Sequence, residues 1–255
     1  MEKLPPLDFE SSLAQQMLDY LDYLDHLGFS IVQQAYNLRR IDRFLRQHPI
    51  EDLRQLDARF MMKLIEEDQP RVRTATLRLY CDTLRRFSRY LVRRSGLNYN
   101  LLEDFPVPRP QPYQPYVFSP QELRLLFDFL KNQTSQARDL MSFYQALSRY
   151  TLYHLLYACG LRVSEAIRLR VNDYSSVEAS LYIQPSKFLK DRLIPVSDRV
   201  SSNLNNLLSV RRTLANGSSS NLLFLQLPQP RPYQRISVSA FFRNTLRRLN
   251  IYHRE

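Results

Sequence analysis

Glycine is scarce in this sequence, with 4 in 255 residues, at positions 28, 96, 160 and 217. No two lie close enough for a phosphate-cradling loop, which excludes Walker-type and dinucleotide-binding fingerprints. Cysteine is scarcer still. Cys81 and Cys159 cannot staple a chain this long, which points to a reducing cytosol rather than a disulfide scaffold. Four dispersed histidines and two distant cysteines give no zinc spacing. No apolar run approaches the ~20 residues of a membrane span. The start, Met1-Glu2-Lys3-Leu4-Pro5-Pro6, lacks the apolar stretch of a signal peptide. The expectation is therefore a protein with no metal, no cofactor and no membrane partner. What is present, 44% hydrophobic and 24% charged residues, suits one or two globular domains.

Charge is present in excess, at +11, and its placement is uneven. Residues 1–105 hold 16 Lys+Arg against 16 Asp+Glu, whereas residues 106–255 hold 20 against 9. The neutral half is itself polarised. Arg71, Arg73, Arg78, Arg85, Arg86, Arg89, Arg93 and Arg94 fall in one stretch with a single acid, Asp82. On a helix several of these share a face, the footprint of a polyanion binder. A merely solvated face is the competing reading. It would more often use Lys and Glu, whereas Arg grips phosphate with a planar fork.

Apolar spacing predicts four helices in residues 11–105. Ser11 or Ser12 is expected to cap the first, which bears Leu13, Met17, Leu21 and Leu24 and ends at Gly28. The second carries Ile31, Ala35, Leu38, Ile41 and Leu45 up to Pro49. The third, capped by Asp57, carries Phe60, Met61, Leu64 and Ile65 up to Pro70. The fourth is the arginine-rich segment with Leu77, Tyr80, Leu84, Phe87 and Leu91, closed by Gly96. Five prolines in residues 106–115 then predict a stiff linker over 106–116. Ser119-Pro120-Gln121-Glu122 reads as the start of a helix. Helices are expected to about residue 171, strands at 179–184 and 191–196, a helix at about 200–215, an irregular stretch over 216–235, and a last helix over Ser237–Asn250.

The segment richest in chemistry is Gly160-Leu161-Arg162-Val163-Ser164-Glu165-Ala166. An apolar helix ends at Gly160, and Arg162 is expected in the first turn of the next, where free N–H groups and a guanidinium fork suit an anion. An arginine that pairs with Glu165 at a helix corner reads equally well.

These residues, with Leu169 and Asp173, resemble the first arginine box of the tyrosine site-specific recombinases, the phage-integrase and Xer-type family. Ser186-Lys187-Phe188-Leu189-Lys190-Asp191-Arg192-Leu193-Ile194-Pro195-Val196 is similar to that family's lysine-bearing β-hairpin. The resemblance implies a mainly α fold. A four-helix SAM-like core-binding domain (1–105) and the linker (106–116) would precede a partial α+β catalytic domain (117–255) with a small antiparallel sheet. It implies strand transesterification without metal or ATP, through a 3′-phosphotyrosyl link. Arg162 would stabilise charge on the phosphate and Lys187 would protonate the leaving 5′-oxygen. Arg71, Arg73, Arg78, Arg85, Arg86, Arg89, Arg168, Arg170, Lys190 and Arg192 would hold duplex DNA from two sides, with Thr74, Arg85 and Arg89 as candidates for base contacts. The implied partners are inverted-repeat DNA and a homo-oligomer or full-length recombinase, in a bacterial cytoplasm at the nucleoid.

The sequence departs from the family where a His-x-x-Arg box and a nucleophilic tyrosine should follow the last helix. His253-Arg254 is adjacent rather than spaced, and Tyr233 and Tyr252 lie upstream of where the box should begin. The expectation is a chain that binds DNA without cleaving it, with apolar surface exposed around 238–251. The alternatives are a non-catalytic competitor or accessory at recombination sites, and a helical module for an acidic protein or RNA.

Overall fold

The structure is a computed structural model, and it describes residues 7–68, 72–95, 109, 112, 114–184, 191–214 and 220–251. The chain divides into two compact units, Met1–Gln114 and Pro115–Glu255.

In the first unit α1 (Ala14–His26), α2 (Val32–Gln47), α3 (Ala58–Asp68) and α4 (Thr74–Ser95) enclose one core. Met17, Leu38, Ile41, Phe44, Leu84 and Phe87 are withdrawn from water, each contributing about 1.5–3 kcal/mol. Asp57 caps α3 through the N–H groups of Arg59 and Phe60, at 2.9 and 3.0 Å. Gly28 ends α1 at φ +75°, with the Phe29 N–H reaching back to the Leu24 carbonyl. The expected serine cap of α1 is not formed. Leu13 occupies the N-cap position, and the buried Asp42 carboxylate instead accepts the N–H groups of Glu10 and Ser11. A long-range acceptor thus holds the chain just before α1, whose first turn has no side-chain cap. Two further polar ties cross the unit. Asn37 donates to the Thr83 hydroxyl at 2.8 Å, and Arg40 grips the buried Asp68. Gly96 and most of the proline stretch lie outside the described residues.

The second unit is built on α6 (Leu140–Ala158), which packs against α5 (Pro120–Ser135) and α8 (Asp198–Leu214). The start of α5 is as the sequence predicts: Ser119 Oγ accepts the Glu122 N–H and the Glu122 carboxylate accepts the Ser119 N–H. Asp139 caps α6, and the Ser142 hydrogen bonds hold its carboxyl below the usual range. Three side chains of α6 reach far along the chain. Tyr144 OH donates to the Leu225 carbonyl at 3.0 Å, Gln145 to Leu227 at 3.2 Å, and Tyr153 OH to Val238 at 2.6 Å. Burial pushes the Tyr144 hydroxyl up to about 12.

A three-stranded antiparallel sheet follows the short α7 (Val163–Ala166), in the order β1 (Tyr174–Ser175), β2 (Ser180–Ile183), β3 (Arg192–Pro195). Leu181 pairs with Ile194 and Ile183 with Arg192. The two expected strands are each one residue shorter at either end. The stretch expected to be irregular holds a small ladder, β4 (Leu225–Gln226) with β5 (Arg231–Pro232). The last helix, α9, runs Arg235–Arg248 rather than Ser237–Asn250. Asn250 takes φ +53° and the Ile251 N–H returns to the Leu246 carbonyl, a left-handed stop just beyond the helix. Expected apolar exposure at 238–251 is corrected in part. Val238, Leu246 and Ile251 are buried because α9 lays that face on the core. Phe242 instead lines an apolar groove with Leu123, Phe127, Tyr157 and Val163.

Candidate functional site

On α4 the residues Leu77, Leu84, Phe87 and Leu91 are buried. At the helical repeat, Arg78, Arg85, Arg86, Arg89 and Arg93 then fall within an arc of about 100° on the opposite side. Arg78, Arg86, Arg89 and Arg93 are exposed, and Arg85 is half-buried. Asp82 sits among them, 3.6 Å from Arg78. Arg73 is exposed just before the helix and Thr74 opens it. Arg71 lies outside the described residues. One face of one helix thus gathers a cationic strip whose reverse side is the hydrophobic anchor that fixes it.

In the second unit α6 stops at Ala158, and Gly160 turns the chain at φ +59°. A Cβ there would meet no atom within 4 Å, so the glycine is required by backbone conformation alone. Replacing Gly160 by alanine should cost about 1–2 kcal/mol in equilibrium unfolding of the second unit.

The turn delivers Arg162 to the N-cap position of α7, one residue before the helix rather than inside its first turn. Its backbone N–H is already taken, at 2.8 Å, by the Glu165 carboxylate. That carboxylate is 2% exposed and does more than cap. It accepts Arg162 Nη1 at 2.8 Å, and from β3 it accepts Arg192 Nη2 at 2.8 Å and Nη1 at 3.3 Å. The bond to Glu165 raises the pKa of Arg192 further. The side chain of Arg162 nevertheless stays 57% exposed and that of Arg192 37%. Pairing at a helix corner and presentation of a guanidinium to solvent are therefore both met by one geometry.

Arg168 and Arg170 are exposed on the turn after α7. The Arg170 N–H donates to the buried Asp173 at 2.7 Å, which also accepts Gln184 at 3.2 Å. Lys187 and Lys190 lie outside the described residues. Sequence reasoning missed Glu165 as the link between the arginine box and the hairpin. The available signal was a carboxylate beside Ala166 and Ile167, at a position whose burial demands paired and hydrogen-bonded partners. Among the described residues no three His, Cys, Asp or Glu side chains are grouped to hold a metal. No helix of the described residues is long and apolar enough to cross a membrane.

The sequence profile of the phage integrase family matches residues 117–255. A tyrosine recombinase of Pseudothermotoga lettingae is 29% identical over 201 residues, covering 77% of this chain and 65% of its own length. The tyrosine recombinase XerC of Alcanivorax borkumensis is 30% identical over 150 residues, covering 59% and 46%. The chain thus spans about half to two thirds of the length of these curated relatives. Among solved structures, a Tn1549 transposon integrase in complex with a circular intermediate DNA aligns at TM-score 0.68 and 14% identity, over 94% of this chain and 80% of that one. A lambda integrase dimer bound to a core site aligns at TM-score 0.64 and 15% identity, over 95% and 83%. At such identities these two matches speak for the fold, mainly helical with small antiparallel sheets. With the family profile matched over more than half of its length, the chain belongs to the phage integrase family, the tyrosine recombinases.

Proposed function

We propose that this chain binds duplex DNA and carries part of the machinery for recombinase strand transfer. The observation that supports this best is the Arg162–Glu165–Arg192 cluster. A buried carboxylate fixes two guanidiniums that stay open to solvent, the arrangement a phosphate with growing negative charge needs. In this reading Arg162 and Arg192 meet the scissile phosphate, and Lys187 donates the proton that lets the 5′-oxygen leave. Residues 1–105 act as a core-binding domain joined by the 106–116 linker to the catalytic domain. Arg71, Arg73, Arg78, Arg85, Arg86 and Arg89 from the first, and Arg168, Arg170 and Lys190 from the second, hold phosphates and set register. The target is inverted-repeat duplex DNA bound by more than one protomer, in a bacterial cytoplasm at the nucleoid.

Fluorescence anisotropy of a labelled duplex across a salt series tests the binding. If about five phosphates are neutralised, the log–log slope should be about −4 to −5. A slope near zero would sink the proposal.

The second reading is a non-catalytic competitor or accessory at recombination sites. No His-x-x-Arg sequence occurs within residues 1–255. Residues 1–255 alone should therefore leave a nicked suicide duplex without a covalent protein adduct on a denaturing gel, and an adduct would exclude this reading.

A further inference from the structure

A cleft of about 370 Å³ opens in the second unit, and its lining shares no residue with the Arg162–Glu165–Arg192 cluster. Its walls are rings. Phe127 of α5 lies 5.4 Å from Tyr157, 5.7 Å from His154 and 6.5 Å from Tyr150, all on α6, and His154 stacks on Tyr150. Tyr157 is 61% exposed, a large aromatic surface with no cover. The rim carries Arg124 and Arg199, both exposed, and neither forms an ion pair with a described carboxylate. Arg199 touches the Tyr150 hydroxyl at 3.5 Å. Asp128 is the single acid in the lining, so the cleft is net positive. His154 Nδ1 meets Asn203 at 3.0 Å, and burial, then the Arg199 charge, lowers its pKa. The imidazole is thus one more neutral ring surface near pH 7.

We propose that this cleft is a site for one unstacked nucleotide of a DNA strand. The base stacks on Tyr157, Phe127 and His154, and its phosphate pairs with Arg124 and Arg199. Rings joined to unpaired cations are the chemistry of single-strand binding, since every base has a π-face and every linkage a charge. The volume lies near the small end of ligand sites, about 300–1,000 Å³, so it admits one planar group and neither a helix nor a duplex. An acidic peptide with one aromatic anchor would meet the same rim less fully, because it supplies no phosphate to span two guanidiniums. Position adds to the argument. Tyr157 is the last residue but one of α6, and the chain reaches Arg162 five residues later. The proposal takes nucleic acid as ligand from the duplex-binding reading, but the assay below is scored without reference to duplex affinity.

The test uses the whole chain and a ten-nucleotide oligothymidylate carrying one 5-iododeoxyuridine. Irradiation should crosslink that base to the peptide containing Tyr157 or His154. In parallel, the same oligonucleotide with one 2-aminopurine should lose fluorescence on binding. Tyr157→Ala and Arg199→Gln should each weaken that binding about tenfold, with duplex affinity unchanged. Both side chains are exposed, so the fold survives either change. Crosslinks confined to residues 1–114 or to the β2–β3 hairpin would overturn the proposal. So would single-strand binding that is indifferent to both substitutions, or a loss of single-strand and duplex binding in equal measure. Duplex binding that fails while the crosslink persists would sink the duplex reading and leave this site standing.

Discussion

Glu165→Ala should destabilise the second unit by about 2–4 kcal/mol and, despite adding a positive charge to the site, weaken duplex binding. The two effects have one origin. The carboxylate is buried and accepts hydrogen bonds from two guanidiniums and one backbone N–H. Its removal takes away the hydrogen bonds that join Arg192 of β3 to the α7 corner, and breaking such a pair costs more than its formation gains. The figure is kept below the full cost of a buried pair because both arginines remain partly solvated. Simple charge counting predicts the opposite sign for DNA, since one negative charge is lost. The binding measurement therefore separates the two accounts. Tighter binding by the alanine variant would mean that Glu165 only tempers the local charge. Weaker binding would mean that it aims Arg162 and Arg192. Glu165→Gln should fall between, keeping one acceptor oxygen and losing the charge-assisted bonds. Denaturant melts followed by circular dichroism supply the stability arm.

Reversing the charge of two arginines on α4 should have the largest effect on DNA. Arg86→Glu with Arg89→Glu is expected to lower duplex affinity on the order of 100-fold at moderate salt. The double variant removes two phosphate contacts and sets two carboxylates against the polyanion. The melt of the first unit should change little, because both side chains point away from Leu84, Phe87 and Leu91. The salt slope should shrink by about 2 in the same experiment. Unaltered affinity would show that this face is only a solvated one.

The sequence made visible whatever is settled by neighbours. Ser119, Pro120 and Glu122 write the start of α5 within four residues. Asp57 and Gly28 do the same for the start of α3 and the end of α1. Strands β2 and β3 were readable because Leu181 and Ile183 alternate with exposed Tyr182, one face at a time. What the local pattern could not show was decided by distant partners. Asp42 holds the segment before α1 from more than thirty residues away, where the sequence predicts a local serine cap. The β4–β5 ladder rests on two residue pairs, Leu225 with Pro232 and Gln226 with Arg231, in a stretch whose composition reads as loop. At the site, Arg162 was legible from its box. Its link to Arg192 was not, because it runs through a carboxylate twenty-seven residues from one of its partners. The aromatic cleft was hidden for the same reason, since Phe127, His154 and Arg199 come from three separate helices.

The long reach of α6 has a consequence for the order in which the molecule is made. Its Tyr144, Gln145 and Tyr153 find their carbonyl partners 81, 82 and 85 residues later. At about 5–20 residues per second, a ribosome needs roughly 4–17 seconds to supply them. Throughout that interval this helix, the most apolar of the described helices, stands without the segment that completes its burial. The first unit closes on contacts available earlier and should already be folded. The second is the slow half, rich in non-local closure. Chaperone dependence during synthesis is therefore expected to begin as α6 emerges and to end only when Val238 has cleared the exit tunnel.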